Sequence, residues 1–212
     1  HLLKENRLIK NEYIFKTWVI INNSQKKLKF GEYYFSKKIS ANILLEKLKK
    51  GKSVYRKLTI VEGSTKSDLY NILNELDFQK SIEFDDIPNS LVADTYFYKV
   101  SDNPKLILNN IIKKSNEISK KIWNERDQKI PLNDVNELFI LASIVEKETF
   151  IKEEKSIISG VFYNRFKKNM KLQSDPTVVY AITLGKKKMD RKLLRKDLKI
   201  KSKFNTYVNK GL

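Results

Sequence analysis

The sequence has no cysteine. Disulfides, thiolate metal sites and a cysteine nucleophile are therefore excluded. The redox compartment stays open, because oxidising and reducing surroundings both tolerate the absence. Histidine occurs once, as His1, so a catalytic triad or histidine-rich metal site would stand on a terminus that frays. No run approaches the ~20 apolar residues of a membrane span; "YIFKTWVII" comes nearest, and Lys16 interrupts it. Arginine, the residue best suited to phosphates and base edges, supplies only six of the 43 basic residues. No metal-ligand set or cofactor motif is evident. Catalysis is left to carboxylates, lysine, tyrosine and hydroxyls.

What is present is a chain of 212 residues, 41% hydrophobic, long enough to bury a core and too apolar for wholesale disorder. The formal charge of +18 favours polyanionic partners: nucleic acid, anionic head groups or an acidic wall polymer. The lysines are spread along a chain also rich in Asn and Ile. A general compositional bias accounts for that pattern better than a dedicated nucleic-acid surface.

The first half reads as mixed strand and helix. Tyr13–Ile21, rich in aromatic and β-branched residues, is predicted as a strand, as are Lys29–Phe35 and Val54–Val61. Between the last two, Ser40 caps a helix with an apolar stripe of Ile43, Leu44 and Leu48, and Gly51 stops it. After Gly63 a short helix carries Leu69, Ile72, Leu73 and Leu76, which completes a β-β-α-β-α module. Residues 79–104 read as irregular. Pro104 opens a long helix with Leu108, Ile111, Ile112, Ser115, Ile118 and Ile122 on one face. Asn133 is the expected N-cap of the next helix, with Asp134 in its first turn. Further helices follow through Ile157–Phe166 and after Asp175-Pro176, the latter stopped by Gly185. The expected class is α+β: a small β/α module over residues 1–100, then a mainly helical domain over 101–212.

One stretch of the helix after Pro131, "LASIVEKET" at 141–149, sets two glutamates in an apolar run. At about 100° per residue, Glu146 shares a row with Phe139, Ala142 and Ser143, whereas Glu148 falls near Leu141, Ile144 and Val145. The two cannot act as a pair on one helix. In an apolar cleft, Glu146 would be desolvated and held protonated, as a general acid requires. Alternatively it pairs with one of the many lysines or closes the helix end, and spacing alone favours that second reading.

Three blocks, "LASIVEKET", "GVFYNRFKKNMKLQSDPTVVY" (160–180) and "FNTYVNKGL" (204–212), together resemble the endolytic murein transglycosylases of the YceG-like family. The first half is similar more weakly, through "GEYYF", "ILLEKLKKGK" and "LTIVEGST", to that family's LysM-like subdomain and the segment after it. The resemblance implies a cofactor-free lyase that cuts the MurNAc–GlcNAc β-1,4 bond of nascent peptidoglycan. It would leave 1,6-anhydroMurNAc ends and terminate strand elongation. Glu146 matches the family's catalytic glutamate. Gln173, Asn164, Asp175, Thr177, Asn205 and Tyr207 match polar slots that would bind substrate, with Glu148, as a salt-bridge partner, and Ser143 in support. Gln173 has no evident structural duty, while Asp175 could equally cap the helix before Pro176. Asn164 shares a row with Gly160, where a sugar or another helix could approach. Ala93 replaces a usual proline before "DTY", and Phe204 a usual tyrosine before "NTY". A single transmembrane helix is expected before His1 and a "PPGPI"-like segment after Leu212. The implied setting is the outer face of the cytoplasmic membrane beside peptidoglycan synthases, without nucleic acid. The rivals are a wall-binding module that does not cut and a basic nucleic-acid or anionic-membrane binder.

Overall fold

The computed structural model describes residues 1–35, 39–76 and 82–211. Eight α-helices lie among them: α1 (Leu2–Glu5), α2 (Glu12–Ile21), α3 (Ala41–Lys50), α4 (Lys66–Glu75), α5 (Pro104–Glu125), α6 (Val135–Glu148), α7 (Lys152–Lys167) and α8 (Asp175–Thr183). The strands β1 (Arg56–Thr59) and β2 (Thr95–Tyr98) form one two-stranded antiparallel sheet. Register is marked by Thr59 and Thr95, whose hydroxyls meet at 3.1 Å, and by the Ile60 N–H donating to the Asp94 carbonyl at 3.0 Å. The protein is α+β, about half helical. It divides into two compact units, His1–Leu58 with Phe97–Asn103, and Thr59–Tyr96 with Pro104–Leu212.

The smaller unit is more helical than its composition predicts. Tyr13–Ile21, expected as a strand, lies in α2. Asn11 Oδ1 accepts the N–H groups of Tyr13 and Ile14 at 2.8 and 3.3 Å, a local cap that β propensity ignores. Phe15 and Val19, one turn apart, are then buried with Leu44 and Leu45 of α3. Lys29–Phe35 forms no strand either: Gly31 bends the chain at φ +153° and lies close against Ser53. Over this stretch the expected β-β-α-β-α order is therefore corrected to α2, α3, β1 and α4, with β1 its one strand among the described residues. The predicted α3 is present, with Ser40 Oγ accepting from the Ile43 N–H and Gly51 left-handed at φ 67°.

In the larger unit, Thr65 and Asp68 form a reciprocal capping box at the start of α4. β2 lies within the segment expected to be irregular, of which residues 79–81 fall outside the described ones. The Ser115 hydroxyl accepts the Val92 N–H at 2.9 Å, and the Lys114 ammonium meets Asp94 at 2.7 Å, tying this segment to α5. The buried side of α5 runs through Ile107, Leu108, Ile111, Ser115 and Ser119; Ile122, expected on it, is exposed. Asp134, not Asn133, caps α6 by accepting the Glu137 N–H at 2.9 Å. The core that positions the site joins Leu141, Ile144 and Val145 of α6 to Leu132, Phe162 and Leu172. Ser174 takes the N-cap position of α8, where Asp175 was expected, and left-handed Leu184 stops the helix one residue before Gly185. Near the C-terminus, Arg191 forks onto the buried Asp197 at 2.6 and 3.0 Å and holds its carboxyl down to about 2.

Candidate active site

Glu146 lies in the last turn of α6, and its helical row is not an apolar cleft. Phe139 is half-buried, and Ala142 and Ser143 are exposed. The Ser143 hydroxyl bonds back to the Ile140 carbonyl at 2.7 Å. The Glu146 side chain keeps 21% of its exposure, and its Oε2 accepts from Lys155 Nζ at 2.6 Å. Of the two readings that the spacing left open, the structure shows the lysine ion pair, made across the α6–α7 connection.

That connection explains why Lys155 points there. Buried Thr149 ends α6, donates its hydroxyl to Glu154 Oε2 at 2.6 Å and accepts the Ile151 N–H at 3.0 Å. A single threonine thereby fixes the turn into α7 and presents Lys155 one helical turn later. A third element completes the surroundings. Gly63, between β1 and α4, has φ +73°, and a Cβ there would lie 3.2 Å from Lys147 Nζ and 3.7 Å from Glu146 Cγ. The "VEGST" backbone therefore runs beside the glutamate, a proximity that the sequence pattern does not indicate.

Glu148 has different surroundings. Its Oε1 accepts the hydroxyl of buried Ser174, a hydrogen bond in place of the expected salt bridge. The Ser174 N–H donates to Thr206 Oγ1 at 3.0 Å, and the Thr206 and Thr177 hydroxyls meet at 2.9 Å. Thr177 donates in turn to the Ser174 carbonyl at 2.6 Å, which leaves Thr206 as the donor in the threonine pair. The Gln173 N–H donates to the Thr206 carbonyl at 3.2 Å. Three blocks far apart in sequence, 141–149, 160–180 and 204–212, are joined by this short chain of hydrogen bonds.

The remaining expected residues divide by exposure. The Tyr207 hydroxyl donates to Asp175 Oδ1 at 2.7 Å. That bond, then burial, then the charges of Asp175 and Glu148 push the phenol up to about 12. Asn205 is fully buried: its amide donates to the Leu198 and Ile200 carbonyls and accepts the Tyr207 N–H, so it holds the C-terminal block in shape. Asn164 is exposed on α7. Gln173 is exposed and left-handed at φ 54°, a conformation that costs a non-glycine residue about 1 kcal/mol. Arg165 secures that bend by donating to the Lys171 and Leu172 carbonyls, and reaches Gln173 Oε1 at 3.5 Å. Strain of this kind gathers where a side chain is held out for use.

Sequence reasoning missed Lys155, Gly63, Arg165, Ser174 and Thr206. The last three stand inside the motif blocks, so the signal was present as motif. Gly63 stands inside the more weakly matching "LTIVEGST"; Lys155 carries no such signal, because only the packing of α6 brings it to Glu146.

The sequence model of the YceG-like family matches residues 1–212. The chain belongs to the YceG-like family. Among YceG-like relatives, the endolytic murein transglycosylase of Bacillus subtilis (strain 168) is 30% identical over 242 residues, covering 100% of this chain and 66% of that protein. The protein of the same name from Streptococcus pneumoniae (strain D39) is 29% identical over 259 residues, covering 99% of this chain and 46% of its own length. The chain therefore spans less than two thirds of these curated relatives. A crystal structure of a yceG-like protein from Listeria monocytogenes superposes with a TM-score of 0.57 at 28% identity, covering 99% of this chain and 78% of that one.

Proposed function

We propose that this chain is the glycan-cleaving part of an endolytic murein transglycosylase, a lyase acting on peptidoglycan. The observation that carries the reading is the convergence of three motif blocks on one polar cluster at the end of α6, in a chain whose relatives bear that name. Glu146 is the acid and then the base. Protonated, it donates to the glycosidic oxygen as positive charge develops at the anomeric carbon of MurNAc. As carboxylate it then takes the proton of the MurNAc 6-hydroxyl while that oxygen attacks the same carbon. One bond breaks, one forms, no water enters, and the product carries a 1,6-anhydro ring. A single carboxyl group serves both steps, unlike the paired carboxylates of most glycoside hydrolases.

In this scheme Lys155 releases Glu146 when the sugar enters, since the ammonium and the transferable proton compete for the same oxygen. The long lysine stem lets it swing away without moving α7. Gln173 and Asp175 with Tyr207 offer amide, carboxylate and hydroxyl groups at the exposed edge of the cluster, suited to N-acetyl and hydroxyl groups of the glycan. Ser174, Thr177 and Thr206 act from beneath, holding Glu148 and the bend. The LysM-like resemblance of the N-terminal half supports a glycan-holding role for it. Membrane anchoring upstream of His1 and work beside peptidoglycan synthases complete the setting.

Digestion of purified glycan strands by the native protein and by Glu146→Gln tests the reading. Anhydromuramic ends should appear with the native protein and fall by at least about a hundredfold in the variant. Equal yields from both would overturn the assignment of Glu146. Strand binding without cleavage by either would leave a wall-binding module instead.

A further inference from the structure

The charge is not evenly distributed. The smaller unit holds sixteen Lys and Arg against five Asp and Glu in 65 residues, a surplus of eleven; the other 147 residues carry a surplus of seven. A uniform lysine bias does not produce that asymmetry.

The basic residues converge locally. A concavity of about 440 Å³ is lined by Lys26, Lys27, Leu28, Lys29, Glu46, Lys49 and Lys50. Glu46 is engaged by Lys49 at 2.6 Å, while Lys26, Lys27, Lys29 and Lys50 make no ion pair among the described residues. The arrangement is held by its backbone. The Lys29 N–H donates to the Leu48 carbonyl at 3.1 Å, and the Lys29 stem lies where a Cβ on left-handed Gly51 would come within 2.2 Å. Only glycine at 51 lets that stem pass. Exposed apolar side chains stand near these lysines in sequence: Phe30, at 80%, directly follows Lys29, and Ile21, at 75%, ends α2 five positions before Lys26.

Cations alone would suit any polyanion. Unpaired lysines flanked by bare isoleucine and phenylalanine suit an interface that offers anionic phosphate above and hydrocarbon beneath. We infer that the Lys26–Phe30 segment and the C-terminal turn of α3 form a docking surface for the anionic head groups of a lipid bilayer. The surface is independent of the glycan-cleaving site.

Co-sedimentation with unilamellar vesicles of phosphatidylcholine containing about one-third phosphatidylglycerol tests this. The native protein should bind these and not vesicles of phosphatidylcholine alone. At roughly fivefold per surface lysine, K26Q/K27Q/K29Q/K50Q should weaken partition by more than about a hundredfold. The matched exposed set K113Q/K120Q/K121Q/K168Q should weaken it by less than about tenfold, and I21S/F30S by at least about tenfold. Unchanged far-ultraviolet circular dichroism and a single cooperative thermal transition in all three variants show that they fold. Equal losses from the two lysine sets would overturn the proposal in favour of a diffuse field. So would equal binding to neutral vesicles. Retained binding by I21S/F30S, with displacement by inorganic polyphosphate, would overturn it in favour of a soluble polyanion.

Discussion

Two positions separate Glu146 from Glu148, and about 200° of helix turn sends one carboxylate to Lys155 and the other to Ser174. The angular sorting was legible in the sequence; the partners were not, because both come from beyond α6. Two residues test the cluster beneath. Thr206→Val removes the acceptor of the buried Ser174 N–H and the donor to Thr177. Stability should fall by about 1–3 kcal/mol, read as a lower denaturant midpoint at unchanged slope. Tyr207 gives a pH signature. Its phenol is raised to about 12 by donating to Asp175, above an unfolded value of about 10. Stability from this bond is therefore complete below pH ~10 and lost as pH rises through ~12. Absorbance titration should show Tyr207 among the late-ionising tyrosines, since burial raises Tyr96 to about 12 as well and pushes Tyr163 up; Tyr207→Phe should remove one of them.

Helix ends were read to within a residue, because caps are local: Ser40 and Gly51 bound α3 as expected, whereas the caps of α6 and α8 fall one position from the expected Asn133 and Asp175. Strands were read worst. Tyr13–Ile21 has strand composition, yet the i, i+4 spacing of Phe15 and Val19 against α3 decides for helix. β2 went unread because its partner β1 stands 36 positions away at the Thr59–Thr95 pair. Two glycines separate conformational need from spatial need. Gly63→Ala should cost about 1–2 kcal/mol through its left-handed backbone. It should also lower glycan cleavage, because the new methyl group crowds the Lys147 ammonium and strains the turn that runs beside Glu146. Gly160, inside α7 with open space around it, should behave oppositely. Gly160→Ala should stabilise by roughly 0.5–1 kcal/mol. If glycan passes over that face, cleavage should nevertheless fall, which a melting curve beside an activity assay would reveal.

At the scale of the whole molecule, composition excludes thiol chemistry and leaves carboxylates, lysine, tyrosine and hydroxyls as the candidate catalytic groups. Its net charge of +18 implies self-repulsion in the folded state, so the thermal midpoint should rise as sodium chloride is added from low ionic strength. Scanning calorimetry across a salt series checks this; a flat response would mean that local pairs already absorb the repulsion. What composition hid was the uneven placement of charge between the two units, because a total carries no address.

The link from Ser174 to Thr206 also imposes an order in time. A ribosome delivers Glu146, Glu148 and Lys155 well before it delivers residue 206, so the acidic end of α6 is made long before its underpinning. Until the final block emerges and closes on Ser174, the bend at Gln173 lacks the carbonyl that its N–H requires. On the proposed function, glycan cleavage would thus be withheld until the third block has been made.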